Sequence, residues 1–463
     1  MSPSTADENS ADCIDVIRED TLHAILALEA TDAAKGALTA TLDKHLANLK
    51  IVAGAHLLGL KKQIQLAQKL LLHPRAARVC AVLRALARGK KPATFAEVMA
   101  RADLLTVWKP HPEPVRVTWI SKAPKPGYRP IVVSGPVRTA QALMVRDLLL
   151  MMNIDSDFDC AKKGGGGEKR LIKNVCEDIE DGKHWLWTPD IKNCFGSIRP
   201  GHLGWLPTDG RLLKNVMFLP KCAKVVVSND GPEEVGLILQ SLGLGIDVAS
   251  LSVDALRVEL LHFTVQVVRR GLVQGSVLSP LLARAVVAQN VHAALDGLEV
   301  STNSISDDLI IRAKTKVEIF AARLAVTKLF SSLPDGPIEL HDVLPINANS
   351  RRAEAVGYRL EPGNGFGANY VHVKPWLKRV AKFKQRLFTK LKAAKPDDDL
   401  FEIAEKYRAR WFASQGAWTK VPELSDNVSA AITASYVDDY NSGLPMGTWN
   451  VGKSKFDFLT QIP

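Results

Sequence analysis

The spacing of apolar residues divides the chain into a helical beginning and a later part that also holds strands. Within residues 38–49 and 57–72, apolar side chains recur every three or four positions, which is the period of an amphipathic helix. Pro74 and Pro92 interrupt this pattern, as prolines between helices do. Residues 115–120 instead carry the β-branched and aromatic side chains that are typical of strands. We therefore predict helices up to about residue 105 and a mixed α+β region after it.

Two short strand-like runs, 300–305 and 309–313, flank the adjacent carboxylates Asp307 and Asp308. Two such runs joined by a short polar turn predict a hairpin with the acidic pair at its tip. Adjacent carboxylates repel, and each raises the pKa of the other unless a cation lies between them. A hard divalent cation such as Mg²⁺, which prefers oxygen ligands, would relieve the repulsion. The alternative is a solvated turn, since aspartate is common in turns.

Two further segments upstream carry chemistry of the same kind. An apolar run leads into Asp190, which we expect at the very end of a strand because Pro189 cannot donate to a sheet. Phe195 follows five residues later. Between these residues and the paired carboxylates, Gln274 and Gly275 form a glycine-punctuated turn that runs into an apolar helix, residues 281–295. The order is thus carboxylate, Gln-Gly turn with helix, and paired carboxylates.

In this order the chain resembles the reverse transcriptase family. The matching residues are Asp190 with Phe195 for motif A, Gln274-Gly275 with Ser279-Pro280 for motif B, and Ile305-Ser306-Asp307-Asp308 for motif C. The resemblance implies an α+β right-hand polymerase with an antiparallel palm sheet, fingers, a helical thumb and a helical N-terminal extension. It also implies that the catalytic carboxylates Asp190, Asp307 and Asp308 hold two Mg²⁺ ions, with Mn²⁺ as an alternative.

The same resemblance extends to residues that would bind the nucleotide. Lys122 and Arg129 lie seven residues apart on opposite sides of a Pro-Gly turn, the spacing of the family's fingers hairpin, so both could face one triphosphate. The alternative is a charged surface hairpin. Phe195, Gln274 and Gly275 would shape the nucleotide pocket, and a planar ring at Phe195 would exclude a 2′-hydroxyl. Two other features are a recurrent family position at Arg138 and a glycine run, 164–167, that suits either phosphate contact or a flexible linker.

The later part of the chain resembles a primer grip and a thumb. Gly357 and Tyr358 match the primer-grip hairpin, and residues 374–395 contain nine basic and no acidic side chains on a helical apolar period. Such a helix would lie along a nucleic-acid backbone; a solvated basic helix is the alternative. The nucleic-acid-binding candidates are Lys374, Lys378, Arg379, Lys382 and Lys390. The family's lysine before the primer grip has no counterpart here, and His341 or the pair Arg351-Arg352 could replace it.

A second acidic pair, Asp438 and Asp439 after Tyr436-Val437, matches the family's commonest motif C more literally than residues 305–308 do. Its position argues against it. Gln274 lies 33 residues before Asp307, enough for one helix and one strand, whereas 164 residues separate it from Asp438. We therefore assign motif C to Asp307 and Asp308.

The composition indicates which kind of partner and which cellular compartment to expect. The 463 residues carry a net charge of +11 with a pI near 9.3, which favours a polyanionic partner such as nucleic acid. No apolar run of the length that spans a bilayer occurs, and residues 1–20 are acidic and polar, so we expect a cytoplasmic protein without membrane contact. The six cysteines lack metal-ligand spacing, which indicates reduced thiols and no zinc site.

The resemblance implies four regions and one principal function. The predicted regions are an N-terminal extension (1–105), fingers (106–184), a palm with interspersed fingers elements (185–370), and a thumb with a C-terminal tail (371–463). The implied function is RNA-directed DNA polymerase, adding dNTPs to a primer 3′-OH on an RNA template. One setting is phage defence with a dedicated non-coding RNA. The alternatives are template-independent or protein-primed DNA synthesis, RNA-dependent RNA synthesis, and a non-catalytic RNA-binding scaffold; the sequence leaves the oligomeric state open.

Overall fold

The protein is described by a computed structural model. It describes residues 3–55, 60–89, 92–122, 127–154, 160, 167–206, 208–305, 307–341, 343–355, 358–362 and 371–375, with short helical pieces at 385–387, 389–390, 402–403 and 406–407. The chain forms two compact units. Unit 1 comprises Met1–Gly167 and Trp187–Pro345, and unit 2 comprises Glu168–Leu186 and Ile346–Pro463.

Unit 1 begins with a bundle of helices, as the apolar period predicts. The helices are α1 (Pro3–Leu26), α2 (Asp32–Gly54), α3 (Leu60–Ala67) with a π-helical turn (Gln68–Leu72), α4 (Arg75–Leu86), α5 (Phe95–Leu104) and α6 (Pro136–Met151). Helix α4 packs on α1, α2, α5 and α6, and ten of its residues are buried. The predicted N-terminal extension therefore packs closely on α6, which belongs to the predicted fingers segment.

A buried ion cluster lies inside this bundle. Arg84 on α4 donates hydrogen bonds to both carboxylate oxygens of Asp147 on α6, and the Nη1–Oδ1 distance is 3.1 Å. His45 Nε2 on α2 lies 3.8 Å from Asp147 Oδ2. Burial by itself would raise the pKa of Asp147, but Arg84 and His45 outweigh it and hold that pKa at about 2. Because the folded pKa is depressed, this stabilisation is complete above pH 4 or so and is lost as the pH falls towards 2.

A three-stranded sheet follows in unit 1. Its strands are β1 (Val115–Ser121), β2 (Tyr128–Ser134) and β5 (Val225–Val227), in the order β2-β1-β5. Strands β1 and β2 form the predicted antiparallel hairpin, whereas β5 pairs with β1 in parallel. One face of the sheet packs on α10 (Pro232–Ser241) and α11 (Val253–Arg270), where Trp119 Nε1 donates to Thr264 Oγ1 at 2.9 Å.

The paired carboxylates lie on a second set of strands in unit 1, which we call the carboxylate sheet. Its strands are β4 (Asp190–Ile191), β6 (Ser301–Ile305), β7 (Asp308–Ala313) and β8 (Leu340–His341), and all their pairings are antiparallel. Helices α12 (Ser279–Leu295) and α13 (Lys316–Ser331) pack against each other, and α13 also packs on β7. Residues 309–313 of β7 are all buried. The carboxylate hairpin therefore has a rigid base.

The remaining short elements of unit 1 lie between residues 194 and 250. They are α8 (Cys194–Ser197), a 3₁₀ turn (Pro200–Leu203), α9 (Gly210–Leu212), a π-helical turn (Leu213–Met217) and a 3₁₀ turn (Val248–Ser250). The sequence left most of this region unassigned. The main element of this region that the sequence did not predict is β5. It is only three residues long and joins the three-stranded sheet from a distant part of the chain.

Unit 2 contains, in its described part, one long helix, the short helical pieces after residue 384 and several antiparallel strands. The named elements are α7 (Gly167–Glu180), β3 (Trp185–Trp187), β9 (Ile346–Asn347), β10 (Ala353–Ala355), β11 (Tyr358–Pro362) and β12 (Val371–Pro375). The first residue of α7 and the last residue of β3 belong to unit 1. Strand β3 pairs with β9, and β10, β11 and β12 form a meander. The hairpin predicted around Tyr358 is therefore present as β10 and β11, and its role as a primer grip stays a prediction.

Both units together give a mixed α+β chain whose strands are mainly antiparallel, which confirms the predicted fold class at that level. None of the six cysteines forms a disulfide. Among the helices that the structure describes, none is both long enough and apolar enough to cross a membrane.

Candidate active site

Three carboxylates from two distant segments lie on or next to neighbouring strands of the carboxylate sheet. The antiparallel register places Ile305 opposite Asp308, so Asp307 lies at the tip of the hairpin as predicted. Strand β4 adds to the other side of β7 and places Asp190 directly opposite Asp308. Since directly opposed residues of antiparallel strands share a face, Asp190 and Asp308 lie on the same face. The fold thus brings together acids that are more than a hundred residues apart in sequence.

Asp307 is partly buried and lies close enough to Asp190 to be affected by its charge. Burial raises the pKa of Asp307, and the negative charge of Asp190 raises it further. The same two carboxylates, together with burial, raise the pKa of the Cys194 thiol beside them, so this cysteine stays protonated. Asp190 is about half exposed, with 54% of its side chain accessible. The site therefore concentrates negative charge in a partly desolvated place.

These residues suit a hard divalent cation in donor chemistry and in electrostatics. Carboxylate oxygens are the ligands that Mg²⁺ prefers, and a cation would offset the repulsion between Asp190 and Asp307. Within the residues that the structure describes, no group of three or more His, Cys, Asp or Glu side chains is arranged to enclose a metal. Mg²⁺ binding therefore rests on the converging carboxylates and remains a proposal.

The position of Asp190 differs in one respect from the prediction. The apolar strand β3 ends at Trp187, and Asp190 begins the separate two-residue strand β4 instead of ending β3. Pro189 lies in the break, as expected from its missing N–H group. After β4 the chain turns sharply at Asn193, whose φ of 47° lies in the left-handed region. This turn starts α8, which carries Phe195.

The Gln-Gly loop is held between the Asp190 turn and the three-stranded sheet. Leu272 N donates to Phe195 O at 2.9 Å, and Val132 N on β2 donates to Gln274 O at 2.7 Å. Gly275 has a φ of +103°, and a Cβ atom there would lie 2.3 Å from Val132 O. Both the backbone angle and the close approach require glycine. The structure therefore brings Phe195, Gln274 and Gly275 into one connected region.

Gln274 also presents an unpartnered polar atom. Its Oε1 is shielded from solvent and accepts no hydrogen bond from the described residues. A buried amide oxygen without a donor is costly, and such atoms in native proteins usually await a ligand or water. This observation supports a binding role for the loop and was not accessible from sequence.

The two cations of the β1–β2 hairpin lie on one face. Ile120 pairs with Arg129, and Lys122 follows Ile120 by two positions, which returns its side chain to the same face of a strand. Lys122 N also donates to Gly127 O at 2.9 Å, so the pairing extends to this residue. Both side chains are exposed. This arrangement allows the two cations to contact one anion.

His341 lies beside the carboxylates. It pairs with Asp190 through β8, and its Nε2 is 3.8 Å from Asp190 Oδ2. The other candidate from sequence, Arg351-Arg352, belongs to unit 2. Of the two alternatives, His341 is therefore the one that shares a sheet with the carboxylates.

The predicted primer-grip and thumb residues belong to unit 2. Tyr358 is fully buried in β11, where it pairs with Ala355. Lys390 is exposed, and its Nζ lies 5.7 Å from the ring centre of Tyr407. Gly357, Lys378, Arg379 and Lys382, the side chain of Lys374, the glycines 164–166 and the second acidic pair all lie outside the described residues. Their roles stay predictions.

Comparison with known proteins gives one distant similarity. No family model matches the chain, and no curated protein matches its sequence. Among solved structures, the RNA-dependent RNA polymerase from bacteriophage phi12 is similar over 69% of this chain and 47% of its own, with a TM-score of 0.31 and 10% identity. The chain thus spans about half the length of that polymerase. A likeness of this size establishes neither a family nor a reaction.

Proposed function

We propose that the chain is a nucleic-acid polymerase that adds dNTPs to a primer 3′-OH on an RNA template. The observation that carries the proposal is the convergence of Asp190, Asp307 and Asp308, reached from two segments, beside a Gln-Gly loop that contacts both the Asp190 turn and β2. Adjacent carboxylates repel, and each raises the pKa of its neighbour, so the arrangement destabilises the charged forms and calls for a functional explanation. Phosphoryl transfer supplies that explanation.

In this proposal, Asp190, Asp307 and Asp308 would hold Mg²⁺, as two ions, with Mn²⁺ as an alternative. When bound, the metal supplies the positive charge that activates a hydroxyl nucleophile and neutralises charge on a departing pyrophosphate. Lys122 and Arg129 would bind the triphosphate from the exposed face of the β1–β2 hairpin. Gln274 and Gly275 would shape the pocket for the base and sugar, and Phe195 would exclude a 2′-hydroxyl.

The thumb and the partners complete the proposal. The hairpin of β10 and β11, in which the Tyr358 side chain is buried, would contact the primer strand, and the basic residues of 374–395 would bind the duplex backbone. The template would be RNA, and a dedicated non-coding RNA in phage defence is one source of it. Sequencing the nucleic acid that copurifies with the protein identifies this partner directly.

Primer extension tests the proposal. A labelled DNA primer on an RNA template is incubated with dNTPs and Mg²⁺, using wild type, Asp307→Asn and Asp190→Asn. We expect each variant to lose more than about a hundredfold in rate, since even outer-shell partners of metal ligands cost 10–100-fold. Asp438→Asn, which changes the more literal sequence match, serves as the control and should extend like wild type.

Two outcomes would contradict the proposal. If Asp438→Asn abolishes extension and Asp307→Asn does not, motif C is assigned to the wrong acidic pair. If folded wild type extends no primer on RNA, on DNA or without template, the non-catalytic scaffold is favoured instead. Metal binding is measured separately by calorimetry with Mn²⁺, which should lose heat of binding in both Asp307→Asn and Asp190→Asn.

A further inference from the structure

A cavity of ≈ 390 Å³ lies in unit 1 along the free edge of β2. It is enclosed by the end of α4, the start of α6, residues 216–219 and the loop 273–277. Most of the lining is apolar, and the polar side chains among the lining residues are Arg88, Ser134, Arg138, Thr139 and Ser276. Neither the carboxylates nor Lys122 and Arg129 line it. The cavity therefore shares Gly275 with the proposed nucleotide pocket but lies apart from the carboxylates and from the two hairpin cations.

Arg138 is the unusual member of this lining. It is only 8% exposed, and its Nε and Nη1 atoms are shielded from solvent without a hydrogen-bond partner among the described residues. The nearby acid Glu113 uses its Oε2 to accept the backbone N–H of Arg138 at 3.1 Å, at the start of α6. Its carboxylate also lies against Gly135, where an added Cβ would collide with it. The Glu113 carboxylate is thus held at the backbone of the first turn of α6.

A buried guanidinium without a partner carries a large desolvation cost. Burial lowers the pKa of Arg138 from its ordinary value and outweighs the nearby charge of Glu113, which raises that pKa. An oxyanion satisfies a guanidinium best, because two of its oxygens match the planar fork of N–H donors. The hydroxyls of Ser134 and Ser276 add further donors to the same lining, and Arg88 adds a second positive charge. The hydroxyl of Thr139 donates instead to Ser134 O at 3.4 Å.

We propose that the cavity beside Arg138 is an anion site that takes a phosphate group. The phosphate could belong to the backbone of a single-stranded polynucleotide or to a free nucleotide, which present the same oxygens to Arg138. The cavity opens beside β2 and the loop that holds Gln274, so a phosphate bound there would lie next to the proposed nucleotide pocket. The proposal concerns binding and does not depend on catalysis.

The test uses the full chain without divalent metal, so that triphosphate binding at the carboxylates does not contribute. Binding of a labelled 20-nucleotide single-stranded RNA is measured by fluorescence anisotropy over a range of salt concentrations. Stabilisation by inorganic phosphate and by dATP is measured in parallel by thermal melting. The variants are Arg138→Gln and Arg88→Gln. The control is Arg75→Gln, which removes the same charge from an exposed ion pair with Asp103 on the surface of the bundle.

For a backbone phosphate, Arg138→Gln should weaken RNA binding about tenfold and reduce the slope of log affinity against log salt by about 0.7, the value of one contact on a single strand. For a free nucleotide, Arg138→Gln should lose the stabilisation by phosphate and dATP while RNA binding stays unchanged. Either result supports the anion site and identifies its source. Arg75→Gln should change neither quantity.

Equal RNA affinity, equal salt slope and equal phosphate stabilisation in folded Arg138→Gln and Arg75→Gln would overturn the proposal. Arg138 is buried, and its replacement could prevent folding. In that case Arg88→Gln decides, because Arg88 is exposed at the same cavity. A twofold to threefold loss on either probe would support the site, and wild-type values on both probes would overturn it.

Discussion

Ionisation of Asp307 lowers the stability of the folded protein. Burial and the charge of Asp190 raise its pKa, so the ionised form is less favourable folded than unfolded. Between the unfolded and the folded pKa the folded state binds more protons, and stability therefore falls as pH rises through that interval. At neutral pH the full penalty remains.

We therefore predict that Asp307→Asn raises the melting temperature in EDTA at pH 7.5, although it abolishes nucleotide addition. The increase should shrink as the pH is lowered, because protonation of wild-type Asp307 removes the same penalty. Thermal melting of both proteins from pH 4 to 8 measures this. Asp12→Asn, which changes an exposed acid on α1, controls for the loss of one negative charge. A lower melting temperature for Asp307→Asn at every pH would show that Asp307 is not electrostatically strained.

The proposal assigns to Phe195 the choice between deoxynucleotides and ribonucleotides. It is half-buried on α8, five residues after Asp190, and its carbonyl accepts from Leu272. We predict that wild type prefers deoxynucleotides and that Phe195→Val raises ribonucleotide use relative to deoxynucleotide use at least about tenfold, the range for removing a steric contact in a pocket. Steady-state incorporation of dNTP and rNTP on one template measures the ratio.

The alternative is that Phe195 is a packing residue alone. Truncation to valine would then lower stability and leave the sugar preference unchanged, so thermal melting of the variant accompanies the kinetic assay. Equal use of both sugars by wild type would contradict the steric argument. It would favour RNA synthesis over DNA synthesis.

At the scale of elements, the loop 271–278 joins two parts of unit 1 that sequence alone keeps apart. It contacts β2 through Gln274 and Gly275 and the Asp190 turn through Gly271 and Leu272, and an added Cβ at Gly271 would lie 2.5 Å from Gly196 O. The loop therefore fixes the distance between the β1–β2 hairpin and Asp190. Its geometry depends on Gly271 and Gly275, the glycines at these two close approaches.

We predict that Gly275→Ala destabilises the protein by about 1–3 kcal/mol, because alanine meets both an unfavourable φ and the Val132 carbonyl. It should also reduce nucleotide addition more than binding of primer, since the loop moves relative to Asp190. Gly36→Ala on α2 is the matched control, because its Cβ meets nothing within 4 Å. That change should stabilise by about 0.5–1 kcal/mol. Denaturant unfolding and primer extension measure both effects, and wild-type stability of Gly275→Ala would contradict the argument.

The elements that the sequence predicted well are those with a strong local signal. The β6–β7 hairpin, α12 and the β1–β2 hairpin follow from apolar period and turn chemistry. Strand β5 could not be predicted, because a run of three valines is short and its sequence does not show that it pairs with β1, more than a hundred residues earlier. The break between β3 and Asp190 followed from Pro189 only in part, since proline marks an interruption without showing where pairing resumes. Arg138 and Gln274 match the family's motifs in sequence, but only the structure shows that their side chains contain buried polar atoms without partners among the described residues.

At the scale of the whole molecule, the basic residues behind the net charge of +11 differ in whether they have acidic or carbonyl partners. Some cations have structural partners, such as Arg84 with Asp147 and Arg199 with the carbonyl of Asp335 at 2.6 Å. The nine cations of residues 374–395 have no acid within their own segment. A basic segment of this kind attracts a polyanion by releasing condensed counterions. The affinity of the protein for nucleic acid should therefore depend strongly on salt.

We predict that neutralising Lys378, Lys382 and Lys390 together with glutamine weakens binding to a primer-template duplex and flattens its salt dependence. Three lost phosphate contacts should reduce the slope of log affinity against log salt by about 2 to 3. The control replaces Lys35, Lys44 and Lys50 on α2, which lowers the net charge by the same amount and leaves residues 374–395 unchanged. Anisotropy with a labelled duplex between 50 and 300 mM salt, on the order of the range where such slopes are measured, gives both values. If the two triple variants show the same slope, general charge and not residues 374–395 attracts the nucleic acid. The segment is then a solvated basic helix.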